Sequence, residues 1–192
     1  MKPAIIVPAA ACVLSLAACA STTVSRTPAP DTAPASAPAS QAAPPSPSAP
    51  PSDTTTGHIG DTFKVTDDTS GWSYSVTLVK ILDPAQPSDS FNTAGAGKRL
   101  VGAEFKLTGI TGNAQDDSNN DAAMQGADSQ LYSPVFDTLA AGTNFDSGNF
   151  SLRPGSTEIG WVAFEVPDGV KVAEVQWNPS LTGSPATWVI GS

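Results

Sequence analysis

From Trp72 to Leu78 apolar and polar side chains alternate strictly, Trp72, Tyr74, Val76 and Leu78 against Ser73, Ser75 and Thr77. A period of two places one set on each face of an extended chain, so the stretch is a half-buried strand. Val79, Ile81 and Leu82 then break the phase, which predicts a bulge or a strand end. Leu100 to Leu107 alternates again, with Val101, Ala103, Phe105 and Leu107 on one face and Glu104 and Lys106 on the other. In Glu158 to Val166, Gly160, Val162, Phe164 and Val166 oppose Ile159, Trp161, Ala163 and Glu165. The Pro167-Asp168-Gly169 turn follows, and Val170 to Trp177 returns as a further strand. Gln130 to Phe136 is weaker and holds Pro134, which removes a ladder donor and places it at a sheet edge. No helical period holds over three turns. Short strands parted by Gly, Pro, Asn and Asp clusters predict an all-β, antiparallel, immunoglobulin-like sandwich over residues 57–192.

Residues 20–56 lack such a pattern. Of these 37 residues, all but Val24, Arg26, Asp31, Gln41 and Asp53 are Ala, Pro, Ser or Thr, and nine are proline. One aliphatic side chain larger than Ala cannot build a core, so 19–56 is expected to be a disordered, partly polyproline linker. It would span about 35 Å as a flexible coil and about 115 Å fully extended. The domain beyond it, roughly 135 residues, can bury about two thirds of its unfolded surface.

The first residues read as an address. Lys2 precedes an almost unbroken run of Ala, Ile, Val and Leu from Ala4 to Ala18. The run is shorter than the roughly 20 residues a membrane span needs, and has the form of an export signal, 1–18. It ends in Leu16-Ala17-Ala18-Cys19, which resembles a bacterial lipobox. That resemblance implies a diacylglyceryl group on the Cys19 thiol, cleavage just before it, and anchorage on the outer face of the cell membrane. Cys12 leaves with the signal, so no disulfide can form and the domain must be stable by packing.

With 9 basic against 18 acidic residues the net charge is −9, which excludes a nucleic-acid partner bound through a basic surface. The single histidine, His58, cannot build a His-dependent triad with any neighbour the spacing supplies, and no nucleophile elbow, phosphate-cradling loop or zinc-protease helix is present. The expectation is a protein that is not an enzyme.

Leu152-Arg153-Pro154-Gly155-Ser156-Thr157-Glu158-Ile159-Gly160-Trp161-Val162-Ala163-Phe164-Glu165-Val166-Pro167 resembles a stretch found in a bacterial extracellular domain family of unknown function. Gly60-Asp61-Thr62, Gly97-Lys98-Arg99-Leu100-Val101 and Asp128-Ser129-Gln130-Leu131-Tyr132 also resemble it, although Ser129 stands where that family carries Gly. The resemblance implies an immunoglobulin-like domain frequent in Gram-positive lipoproteins, similar in fold to a secreted immunogenic mycobacterial antigen. Its motifs are turns and core positions and imply no activity. On the residues themselves, Pro154-Gly155 suits a tight turn, and Gly160 within a strand permits a bulge or a close approach.

Asp116-Asp117-Ser118-Asn119-Asn120-Asp121 is the sharpest chemical candidate. Asp117, Asn119 and Asp121 have the one, three, five spacing of a calcium loop, and Asp128 falls at the twelfth position. Against this, Ala122 stands where the turn wants Gly, and no helices flank the loop. A solvated Asn/Asp-rich loop explains the same residues, so no cofactor is expected beyond this calcium candidate. Of the four tryptophans, one or two are expected in the core; an exposed one would mark a contact with carbohydrate or protein. The function expected is a lipid-anchored, non-catalytic binding module, its partners the membrane through Cys19 and an envelope protein or polysaccharide. The alternatives are an envelope enzyme or calcium-dependent binder using 116–121, and a structural or antigenic spacer. The loops 83–98 and 111–123 are the ones offered to a partner.

Overall fold

The computed structural model describes residues 22–27, 55–179 and 184–191. The signal 1–18, Cys19 and most of the expected linker lie outside the described residues.

The long alternating stretches pair with one another. Six strands form one sheet in the spatial order β1 (Thr22–Thr27), β3 (Thr62–Asp67), β4 (Trp72–Leu82), β5 (Lys98–Thr111), β11 (Thr157–Pro167) and β9 (Pro134–Val135). Five form the other: β2 (Thr56–His58), β13 (Ala186–Val189), β12 (Val172–Trp177), β7 (Ala122–Gly126) and β8 (Leu131–Tyr132). A separate ribbon pairs β6 (Ala114–Asp117) with β10 (Asn149–Leu152), and one helical turn, α1 (Ser118–Asp121), follows β6. Every pairing is antiparallel except β2 with β13. The protein is a β-sandwich.

The inward sets predicted from alternation meet between the sheets. Val101, Phe105, Leu107, Val162 and Phe164 pack with Met124, Val175, Trp177 and Trp188 in one buried cluster. Phe105 lies 4.8 Å from Trp177 and 5.9 Å from Trp188 between ring centres. The two fully buried indoles of this cluster keep partners for their N–H groups: Trp177 donates to the Tyr74 hydroxyl at 3.0 Å and Trp188 to the Asp61 carbonyl at 2.9 Å. Trp161 is also buried, and Trp72 is half-buried and stacked on Tyr74. Three tryptophans, more than expected, are therefore packing residues, and none stands exposed as a contact.

Trp161 occupies a second cluster. The outer face of the large sheet at Leu100, Trp161 and Ala163 is covered by Ala85 and Leu139. Ala85 N–H donates to Leu100 C=O, and Ser88 N–H to Thr138 C=O, so the segments after β4 and β9 are bonded to the sheet and to each other. Part of the 83–98 loop therefore serves as a cover. The 111–123 loop contains β6, α1 and the start of β7.

The expected linker is interrupted at its start. Thr22–Thr27 pairs along β3, from Thr22↔Asp67 to Thr27↔Thr62. This is the longest proline-free run of the tract, and Thr and Val favour a pleated surface. Val24 packs on the main core, and Arg26 donates to the Asp61 carboxylate at 2.7 Å. Composition hid this strand because six residues carry little weight among 37.

The phase break after Leu78 is a bulge between Leu78 and Lys80, and β4 runs on to Leu82. Gln130–Phe136 splits at Ser133: β8 edges the small sheet and β9 the large one, so the chain changes sheets there and Pro134 sits at an edge. Ser129 has φ +64, a left-handed conformation that a Cβ disfavours. Ser129→Gly is expected to raise stability by about 0.5–1 kcal/mol, the relief of strain exceeding the added freedom of the unfolded chain. A urea midpoint that rises with unchanged slope checks it.

Candidate functional site

Strand register, not sequence spacing, gathers the acidic groups. Pairing of β6 with β10 sets Asn149 opposite Asp117 and Phe150 opposite Asp116, and Glu158 at the start of β11 accepts from Ser151 N–H at 3.1 Å. These residues, with Gln115, Ser151 and Asp146, line a cleft of about 630 Å³. Four carboxylates reach it: Asp116, Asp117, Asp146 and Glu158. Among the described residues no cationic side chain lines it.

Asp146 is delivered by a constrained loop. Its neighbours Phe145 and Ser147 both have left-handed backbones, φ +39 and +55. Such strain persists only where surroundings over-determine it. Here Gly148 N–H donates to Asn144 C=O, Ser118 N–H to Gly148 C=O, and Asp146 and Asn149 exchange both backbone bonds. Asn144 accepts from the Ser118 hydroxyl at 2.8 Å and donates to Asn119 Oδ1 at 2.7 Å, tying the loop to α1. Phe145 lies against Gly160, where a Cβ would come within 2.6 Å of the ring. The expected close approach at Gly160 is this contact, and β11 passes it without a bulge. Asp146 also lines a second cleft, about 420 Å³, with Asp137, Phe136 and Thr138. Phe136 is 85% exposed and Phe91 93% exposed. Phe91 sits on a turn whose Asp89 accepts from Phe91 N–H at 2.7 Å, and Asn92 Oδ1 ties that turn to the segment after β9 by accepting from Thr138 N–H at 2.8 Å.

Burial, and beyond it the charge on Asp117, pushes the Asp116 carboxyl above its usual range. Behind the cleft, Asp121 is 2% exposed, and burial joined by the charges of Asp116 and Asp117 raises its pKa to about 8. Its Oδ2 has no hydrogen-bond partner, nor has Asn119 Nδ2. The Tyr74 hydroxyl is raised well above its usual value by burial and by Asp121.

The predicted calcium ligands therefore separate. Asp117 caps α1, accepting from Asn119 N–H at 2.9 Å, and Asp121 is buried behind it. Asp128 lies past the far end of five-residue β7, about 16 Å of strand away. There it accepts from the Tyr132 hydroxyl at 2.6 Å, a bond that holds its carboxyl below the usual range. Among the described residues no group of three or more His, Cys, Asp and Glu is arranged to hold a metal ion. Asp116 and Asp117 reach the cleft as the acidic motif suggested. Asp146, Asn149 and Glu158 escape sequence reading, for only the pairing of β6 with β10 and the turn into β11 brings them there. His58 is exposed, its N–H donating to Asp61.

With this geometry in place, comparison with known proteins places the fold. It is similar to a secreted protein, MPT63, from Mycobacterium tuberculosis. Its crystal structure matches with a TM-score of 0.54 at 16% identity, over 70% of this chain and 96% of that one. At that identity the likeness shows the sandwich alone. No protein-family model matches the sequence, and no curated protein matches it. Among the described residues no helix is long and apolar enough to cross a membrane.

Proposed function

We propose that this chain is an extracytoplasmic lipoprotein, anchored through acylated Cys19 to the outer face of a Gram-positive cell membrane, whose immunoglobulin-like sandwich is a non-catalytic binding module. The Leu16-Ala17-Ala18-Cys19 motif supports the anchor. The observation that supports binding is the strained 144–149 loop. It lifts Asp146 to the junction of two clefts, where carboxylates, the amides of Gln115 and Asn149, and exposed Phe136 stand together. Strain retained in an ordered loop is characteristic of ligand sites. Carboxylates and amides with an aromatic beside them suit a partner rich in amino or hydroxyl groups, an envelope protein or polysaccharide.

The test is capture from solubilised cell envelope by the immobilised mature protein, beside an Asp146→Asn/Glu158→Gln variant. The wild type is expected to retain a protein or carbohydrate that the variant loses. Equal capture by both would remove the cleft from the reading, and no capture by either would favour a spacer. One observation favours an enzyme as the second reading: Asp116, in the cleft, holds its proton more tightly than an ordinary carboxyl, as a general acid does.

A further inference from the structure

We propose that the lipidated N-terminus docks its own domain end-on against the bilayer, with β1 as the clasp; this rests on the anchoring reading of Cys19. Cys19 lies three residues before Thr22, the first residue of β1. Three extended residues reach about 10 Å. Thr22 pairs with Asp67, so β1 begins at the end of the large sheet that carries the 68–71 turn. Gly112 belongs to the same end, where a Cβ would come within 2.8 Å of the Gly71 carbonyl. The opposite end carries the turns in which Asp168 N–H donates to Gly97 C=O, next to Lys98 at the start of β5, whereas Thr27 and Thr62 lie part-way along, level with Lys106 through Thr77. Strand β5, 14 residues long, separates the two by about 45 Å. The lipid therefore lies beside one end and far from the other.

Two contacts hold the clasp. Val24 packs on the main core, and Arg26 binds the Asp61 carboxylate, which is 6% exposed. The near end presents Asp68, Thr69 and Ser70, all exposed, so it meets headgroups and does not insert. Exposed Phe91 and Phe136 lie elsewhere, on the cover of the outer sheet face, and stay available to a partner.

The experiment uses the full mature chain in phosphatidylglycerol vesicles containing a gadolinium-headgroup lipid, with intact mass measured beside Cys19→Ala. The expected result is a diacylglyceryl mass on the wild type, loss of the Gly71 and Gly112 amide signals, and retention of those of Gly97 and Gly169. An acylated protein that keeps the signals at both ends, or loses those of Gly97 and Gly169 instead, overturns the docking and leaves the anchor standing. An unmodified Cys19 overturns the anchor and the docking with it. An acylated Val24→Pro variant that retains its tryptophan near-ultraviolet signature should recover the Gly71 and Gly112 signals. If they stay lost, β1 is not the clasp.

Discussion

Asp121→Asn should flatten the dependence of stability on pH. The folded carboxyl keeps its proton up to about pH 8, and the unfolded one releases it near 3.8. Between those values the native state binds the extra proton, so wild-type stability is fully present below the lower value and falls as pH rises through the upper one. The cause is burial first, then the like charges of Asp116 and Asp117. The ceiling for such a displacement is about 6 kcal/mol, and water penetration and relaxation reduce it to a few. Asn has nearly the shape of the neutral acid and carries no charge. Urea midpoints for the variant should therefore stay level from pH 5 to 8.5, match wild type within about 1 kcal/mol at pH 5 and exceed it at pH 8.5. Asp116, also raised, slopes the same way and leaves a small residual trend. Parallel profiles for the two proteins would mean that Asp121 is ionised or hydrated in the fold.

The same linkage bears on the site. A cationic group seated among Asp116, Asp117 and Glu158 would draw the proton from Asp121, because opposite charge favours the ionised form. Binding of such a partner would then release a proton near neutral pH and stabilise the fold more at pH 8 than at pH 6. A purely hydroxylic ligand would do neither, so the pH dependence of binding separates the two partner chemistries.

Much of the sandwich was legible because its strands are half-buried. Where one face meets the core and the other is open, as in Tyr74–Leu78 and Ala103–Leu107, alternation records the burial directly. Legibility failed where the environment was set from far along the chain. Trp161, Val162, Ala163 and Phe164 are buried on both faces because the segments after β4 and β9 cover the outer side, and only their unbroken apolar run hints at it. Strand β1 was masked by its surroundings in composition, and its warrant is a cation, Arg26, delivered to Asp61 35 residues later. The acidic motif was visible, yet calcium spacing presumes a loop curled round an ion. Here Asp117 became a cap, Asp121 was buried, and Asp128 was carried off by β7.

Gly109→Ala should be the most damaging methyl that can be added to the large sheet. The predicted strand ended at Leu107; in the fold β5 continues to Thr111 with a bulge at Ile110, as Ser73 pairs with Thr111 and Tyr74 with Gly109. The reason is the Arg153–Ser156 turn, which lies on Gly109. Gly109 N–H donates to Ser156 C=O at 3.0 Å, and its own carbonyl accepts from Gly155 N–H at 2.9 Å. A Cβ at 109 would overlap the Arg153 carbonyl oxygen and stand 2.8 Å from its carbon, with Leu152 Cβ at 3.3 Å. Backbone cannot rotate aside as a side chain can. The turn must lift, breaking both bonds and drawing Leu152, 1% exposed, out of the core. A loss of roughly 3 kcal/mol follows from overpacking together with the two bonds. Ile110→Ala, at a side chain 42% exposed, supplies the control and should cost less than about 1 kcal/mol. Denaturation of the two variants side by side decides the matter. If Gly109→Ala were as mild as the control, the 153–156 turn would not be seated on β5, and the position of Glu158 in the cleft, one turn downstream, would have to be redrawn.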